Sequence, residues 1–142
     1  MEERFIYNIG GLSLEYFNTL IKENIWKAFA VIHTGIHHQM KIILTYYKHK
    51  VKTLVNNHEI SWKFIDKKTF SQCIDDLYIS EAIGDKLREE LKRFNTDRNN
   101  KLAHLDPYKK REITNEELKK VCEGGVEVAR QLDKVIHDCF FP

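Results

Sequence analysis

Residues 14–54, LEYFNTLIKENIWKAFAVIHTGIHHQMKIILTYYKHKVKTL, decide the fold. Apolar side chains recur at Leu14, Phe17, Ile21, Ile25, Phe29, Ile32, Ile36, Met40, Ile43, Tyr47, Val51 and Leu54, always three or four residues apart. That spacing marks one face of an α-helix, not the alternation of a strand. No proline interrupts it, so one helix of about 40 residues is sterically allowed, but it would span roughly 60 Å and be unusually long for a compact domain. A break is expected, at Asn24 or in His33-Thr34-Gly35, where Gly35 can take the left-handed conformation that ends helices.

Outward from this stretch the reading stays helical. Residues 56–68 (NNHEISWKFIDKK) lose the periodicity and read as a connection, with Trp62, Phe64 and Ile65 pinning it to the core. From Thr69 to Leu77 the apolar positions are Phe70, Cys73, Ile74 and Leu77. Ser80 then suits the cap of a helix running from Glu81 through Ile83, Leu87, Leu91 and Phe94. The pattern stops at Asp106-Pro107, because proline disfavours helical geometry in the residue before it. Thr114-Asn115-Glu116-Glu117 has the capping-box pattern that starts a further helix. Its apolar face is Leu118, Val121, Cys122, Gly125, Ala129, Leu132, Val135, Ile136 and Cys139. Gly124-Gly125 inside it weakens the helix, and close approach of a neighbouring helix explains the pair.

The 142 residues contain 6 Gly and 2 Pro, too few for a turn-rich β-sandwich or barrel. The expected architecture is therefore all-α: a single domain over residues 1–142, an antiparallel bundle of four or five helices in which residues 92–111 join two of them.

The formal net charge of +2 argues neither for nor against a nucleic-acid partner. Its distribution is uneven, with a net +5 over residues 41–68 and again over residues 92–111. Such blocks make either a basic face or a solvated helix surface. Cys73, Cys122 and Cys139 are odd in number and widely spaced, which fits neither a disulfide framework nor a zinc ribbon and points to a reducing compartment. The first residues are acidic where a secretory signal is basic, and no stretch is long and apolar enough to span a bilayer. A cytoplasmic protein with no membrane partner is expected.

Chemistry concentrates in Thr96-Asp97-Arg98-Asn99-Asn100-Lys101-Leu102-Ala103-His104-Leu105-Asp106-Pro107. On a regular helix Arg98 and His104 lie about 120° apart, so they converge only if Arg98 reaches round or the helix ends between them. Asn100 and His104 are four apart and share a face, which lets Asn100 orient the imidazole. Asp106 is a second candidate for orienting it, and equally a plain turn former before proline. Tyr108 can stack on a base or pack at the bundle end. An Arg and a His near a helix end also commonly bind terminal carbonyls and do nothing else. His33 and His37 form a separate pair at the i, i+4 spacing by which two imidazoles share a metal. They lack an acidic residue between them and lie near the apolar stripe, so a core-edge or dimer-facing role is the default and no metal is assigned.

Arg98-Asn99, four residues, then His104 resembles the R-polar-x4-H signature of the HEPN superfamily, small helical domains of prokaryotic toxin–antitoxin, abortive-infection and CRISPR-associated systems. The string RNNKLAHLD, followed by a loop and the Thr-capped ITNEEL, is most similar to abortive-infection-type members. The detailed resemblance covers about residues 91–118; the first 90 residues match only in being helical.

The resemblance implies a metal-independent endoribonuclease with no cofactor, acting in antiviral defence. Arg98, Asn99 and His104 would be catalytic, at a composite site across a homodimer. RNA cleavage by the neighbouring 2′-hydroxyl needs a base, an acid and positive charge on the phosphorane. His104 suits proton transfer and Arg98 suits the phosphate oxygens. One chain offers a single imidazole in this motif, and two-fold symmetry brings a second. Lys92, Arg93, Lys101, Lys109, Lys110 and Arg111 would steer the RNA backbone. The alternative is a non-catalytic interaction module that binds an antitoxin or nucleotidyltransferase partner.

Overall fold

Asn24 is the break in the long apolar stripe. The computed structural model describes residues 14–50, 63–98 and 114–141, and in it α1 (Leu14–Glu23) is followed after this one residue by α2 (Ile25–Lys50). The Asn24 N–H donates to the Leu20 carbonyl at 2.7 Å and its own carbonyl accepts from Ala28 N–H at 3.0 Å. Its side-chain Oδ1 accepts from Lys27 N–H at 3.2 Å. A short amide side chain that competes for backbone donors ends one helix and caps the next. Gly35, the other candidate, continues α2 without interruption.

α3 (Phe70–Ile79) starts on a full capping box: Thr69 Oγ1 accepts from Gln72 N–H at 3.1 Å, and Gln72 Oε1 accepts from Thr69 N–H at 2.9 Å. Ser80 is not the cap of the following helix, as expected from sequence, but the C-cap of α3. Glu81 takes a left-handed backbone (φ 63°). Its N–H donates to Tyr78 O and that of Ala82 to Leu77 O, which is the Schellman pattern. α4 (Asp85–Arg98) therefore starts later, at Asp85. α5 (Asn115–Phe140) is capped by Thr114, whose Oγ1 accepts from Glu117 N–H at 3.1 Å. Among the described residues of the connection before α3, Ile65 is an anchor, at 3% exposure, whereas Phe64 is 61% exposed. Trp62 lies outside the described residues.

The described residues contain helices and no strand: an all-α bundle. α2, α3, α4 and α5 close a ring, each touching the next, with α1 against α2 and α5. Facing pairs give the directions. Ile25 meets Cys122, Gln39 meets Ala129 and Tyr46 meets Phe140, so α2 and α5 run parallel. Glu90 meets Gln131 and Phe94 approaches Gly125, so α4 and α5 run antiparallel, as do α3 and α4 across their short turn. Only helices joined by short turns are bound to alternate, and α2 and α5 are far apart in the chain.

The core is the expected stripe, with Phe17, Ile32, Ile36, Met40 and Ile43 fully buried against Ile74, Leu77, Leu91, Leu118 and Leu132. One polar side chain is buried with them: Gln39 donates through Nε2 to the Ala129 carbonyl at 3.0 Å. Cys73 and Cys122 are buried thiols, pushed up to about 11 by desolvation. No described helix is long and apolar enough to cross a membrane.

The two adjacent glycines differ. A Cβ on Gly125 would lie 2.7 Å from both Ile32 Cγ2 and Phe94 Cε2, whereas one on Gly124 would meet nothing within 4 Å. Close approach explains Gly125 only. Gly125→Ala is expected to cost about 1–3 kcal/mol by overpacking a branched side chain and a ring, and Gly124→Ala to add about 0.5–1 kcal/mol through helix propensity. Urea unfolding followed by circular dichroism checks both; equal effects of one sign would contradict the packing described.

Candidate active site

Leu87, Leu91 and Phe94 are the buried face of α4, and Arg98, four residues beyond Phe94, continues that face as the last described residue of the helix. The side chain is half-buried.

The same face carries Arg98 towards two imidazoles of α2. His33 is stacked on Phe70, with ring centroids 4.8 Å apart and planes at 18°, and on Phe94 at 6.1 Å and 24°. Phe29, one turn earlier, flanks it at 6.2 Å. His37 lies edge-on to His33 at 6.4 Å and 5.7 Å from Phe70. The aromatic rings thus hold the first imidazole in a fixed plane with apolar surfaces on its faces.

The two imidazoles are bonded differently. His37 Nε2 lies 2.9 Å from the Lys68 carbonyl. A carbonyl only accepts, so Nε2 carries the hydrogen and in the neutral ring Nδ1 keeps the lone pair. His33 Nε2 is buried with no hydrogen-bond partner among the described residues.

Burial, then the Arg98 charge, then His37 hold the His33 pKa down to about 4. Burial also lowers His37, helped by Lys41 and Arg98 and opposed by the Lys68 carbonyl bond and Asp66. The nearby ammonium groups are tethered, Lys41 to Asp66 at 3.2 Å and Lys68 to Asp76 at 2.5 Å. No carboxylate among the described residues pairs with Arg98.

Of the other residues singled out by sequence, Lys92 is half-buried and Arg93 exposed on α4. Arg93 opens onto a cavity of about 590 Å³ between α4 and α5, where it and Lys120 face Glu90, Asp97, Glu117 and Glu127. This groove is not uniformly basic. Asn99, Asn100, Lys101, His104, Asp106, Tyr108, Lys109, Lys110 and Arg111 lie outside the described residues.

The pair His33 and His37 and the Arg98 segment were separate features of the sequence; their proximity is tertiary. The signal available was that His33 sits beside the apolar stripe of α2 and Arg98 continues that of α4. Among the described residues no three His, Cys, Asp or Glu side chains converge to hold a metal. Comparison with protein-family models, with curated proteins and with solved structures finds no match.

A lowered imidazole pKa makes stability depend on pH. The unfolded chain takes up the proton near 6.5 and the folded chain near 4, so stability is full above 6.5 and falls as the pH drops towards 4. Water screens a half-buried ring, which brings the His33 share to about 1–2 kcal/mol. His33→Phe keeps the stack and cannot titrate. Urea unfolding at pH 7.5 and 4.5 should show a smaller acid loss in this variant by that amount; an unchanged difference would mean that His33 titrates normally.

Proposed function

We propose that the chain is a metal-independent endoribonuclease of the toxin or abortive-infection type. The observation that carries the reading is Arg98-Asn99-x4-His104, with its arginine held half-buried on the packed face of α4 and without a carboxylate partner among the described residues. A guanidinium neutralised by an ion pair would be a poor ligand for phosphate; this one keeps its charge available. The resemblance to the HEPN superfamily supports the same chemistry.

In the proposed reaction the ribose 2′-oxygen attacks the adjacent phosphorus and loses its proton to a base. The bond from phosphorus to the 5′-oxygen breaks, and that oxygen takes a proton from an acid. The products are a 2′,3′-cyclic phosphate and a 5′-hydroxyl. His104 serves as general acid or base, Arg98 binds the non-bridging oxygens, and Asn99 positions one or the other. Asn100 and Asp106 orient His104. Lys92, Arg93, Lys101, Lys109, Lys110 and Arg111 attract the RNA backbone, which makes binding sensitive to salt. A homodimer supplies the second set of groups.

The purified chain is expected to cleave RNA in EDTA and to leave cyclic phosphate ends. His104→Ala should lower the rate about 10²- to 10⁴-fold with an unchanged circular dichroism spectrum, and light scattering should give a dimer. Absence of cleavage across several RNAs would favour the non-catalytic module that binds an antitoxin protein, and a monomeric active enzyme would remove the composite site.

A further inference from the structure

We propose that His33 and His37 belong with Arg98 to one phosphate-binding site within a single protomer, in which a phosphate oxygen meets the unpartnered Nε2 of His33 and the guanidinium of Arg98. The use of this site in RNA cleavage rests on the ribonuclease reading; the binding of phosphate does not.

Three observations converge on it. Nε2 of His33 is a buried polar atom with no partner, a condition that native interiors rarely tolerate without a reason. A purely structural histidine stacked on Phe70 would be replaced by phenylalanine at no loss. Next, Arg98 lies one turn of α4 beyond Phe94, whose ring is 6.1 Å from that of His33, and no carboxylate among the described residues answers its charge. In the tautomer that carries its hydrogen on Nε2, the unmet requirements are a hydrogen-bond acceptor for His33 and a counter-charge for a guanidinium, and one phosphate group supplies both. Finally, the surroundings suit an anion. Phe29, Phe70 and Phe94 form apolar walls that strengthen ionic bonding.

His37 has its own part. Its Nε2–H is committed to the Lys68 carbonyl, which fixes the ring and leaves Nδ1 free of that bond. The His33 nitrogen is sealed from solvent, so access requires the side chains around it to move. All three side chains of the proposed site belong to one chain.

The experiment is a titration followed through the imidazole Cε1–H signals in ¹³C-resolved NMR, assigned with His33→Phe and His37→Gln. Inorganic phosphate is one probe and a 2′-O-methyl oligoribonucleotide, which lacks the attacking hydroxyl, is the other. The proposal expects the His33 and His37 signals to move together along one saturating curve, while sodium chloride at equal ionic strength leaves them still. Arg98→Gln should weaken binding about tenfold or more, and His33→Phe, which keeps the ring stack, should weaken it measurably with an unchanged fold. A response to the oligonucleotide alone assigns the site to phosphodiesters, and a response to both assigns it to phosphate in general. Signals that stay still, or that move equally in Arg98→Gln, overturn the site. Binding without RNA cleavage in EDTA overturns the ribonuclease reading and keeps the site; cleavage that depends on His104 while His33 and His37 stay silent does the reverse.

Discussion

Three helices meet where α5 has no side chain. At Gly125 the methyl of Ile32 and the ring of Phe94 each reach the space that a Cβ would fill. Phe94 can then lie in the middle of the bundle, against Phe29, Phe70 and His33 at once. The height of α4 over α2 is set by that ring, and with it the place of Arg98 one turn further on. A larger residue at position 125 would push Phe94 outward and carry the arginine with it. Packing density transmits such a shift because close-packed interiors do not absorb it locally.

The electrostatics of the site follow from the same packing. Apolar walls and a cation together make the charged imidazole unfavourable, so His33 stays neutral through the range in which an exposed histidine would titrate. A neutral ring beside an unanswered guanidinium leaves room for one negative group and does not repel it. Where Arg93 faces the α4/α5 groove the balance is different, with four carboxylates against two cations. The two faces of α4 thus present opposite electrostatic surroundings, although both arise from one short stretch of mixed charge.

Helical periodicity made most of the fold readable in the chain. The stripe through Phe17, Ile32 and Met40 is the core, and Thr114 caps α5 as its spacing suggested. Asn24 and Gly35 were equal candidates for the break, and the structure chose the residue whose side chain can bond to the backbone. Ser80 was misread because serine suits either end of a helix, and the left-handed Glu81 beside it carries no glycine to give it away. The parallel course of α2 and α5 was illegible, since direction between distant helices is a property of the whole path. For the site, the face of Arg98 was legible from Leu87, Leu91 and Phe94, while its meeting with His33 was not, because the two are separated by more than sixty residues and joined only by tertiary contact.

Two parallel helices with apolar seams can slide along each other by one turn, about 5.4 Å, and still bury similar surfaces. Leucine and isoleucine are poor at distinguishing such slipped arrangements. The Gln39 amide, bonded to the Ala129 carbonyl across the seam, is not indifferent: a slipped pairing would break that buried bond. Its second polar atom, Oε1, already lacks a partner. The native pairing therefore tolerates one orphaned oxygen, and a shifted one would also have to give up the bond to Ala129. A single amide thus acts as an address that separates one alignment of the two longest helices from its near-equivalents, and precision elsewhere in the bundle depends on that selection having been made.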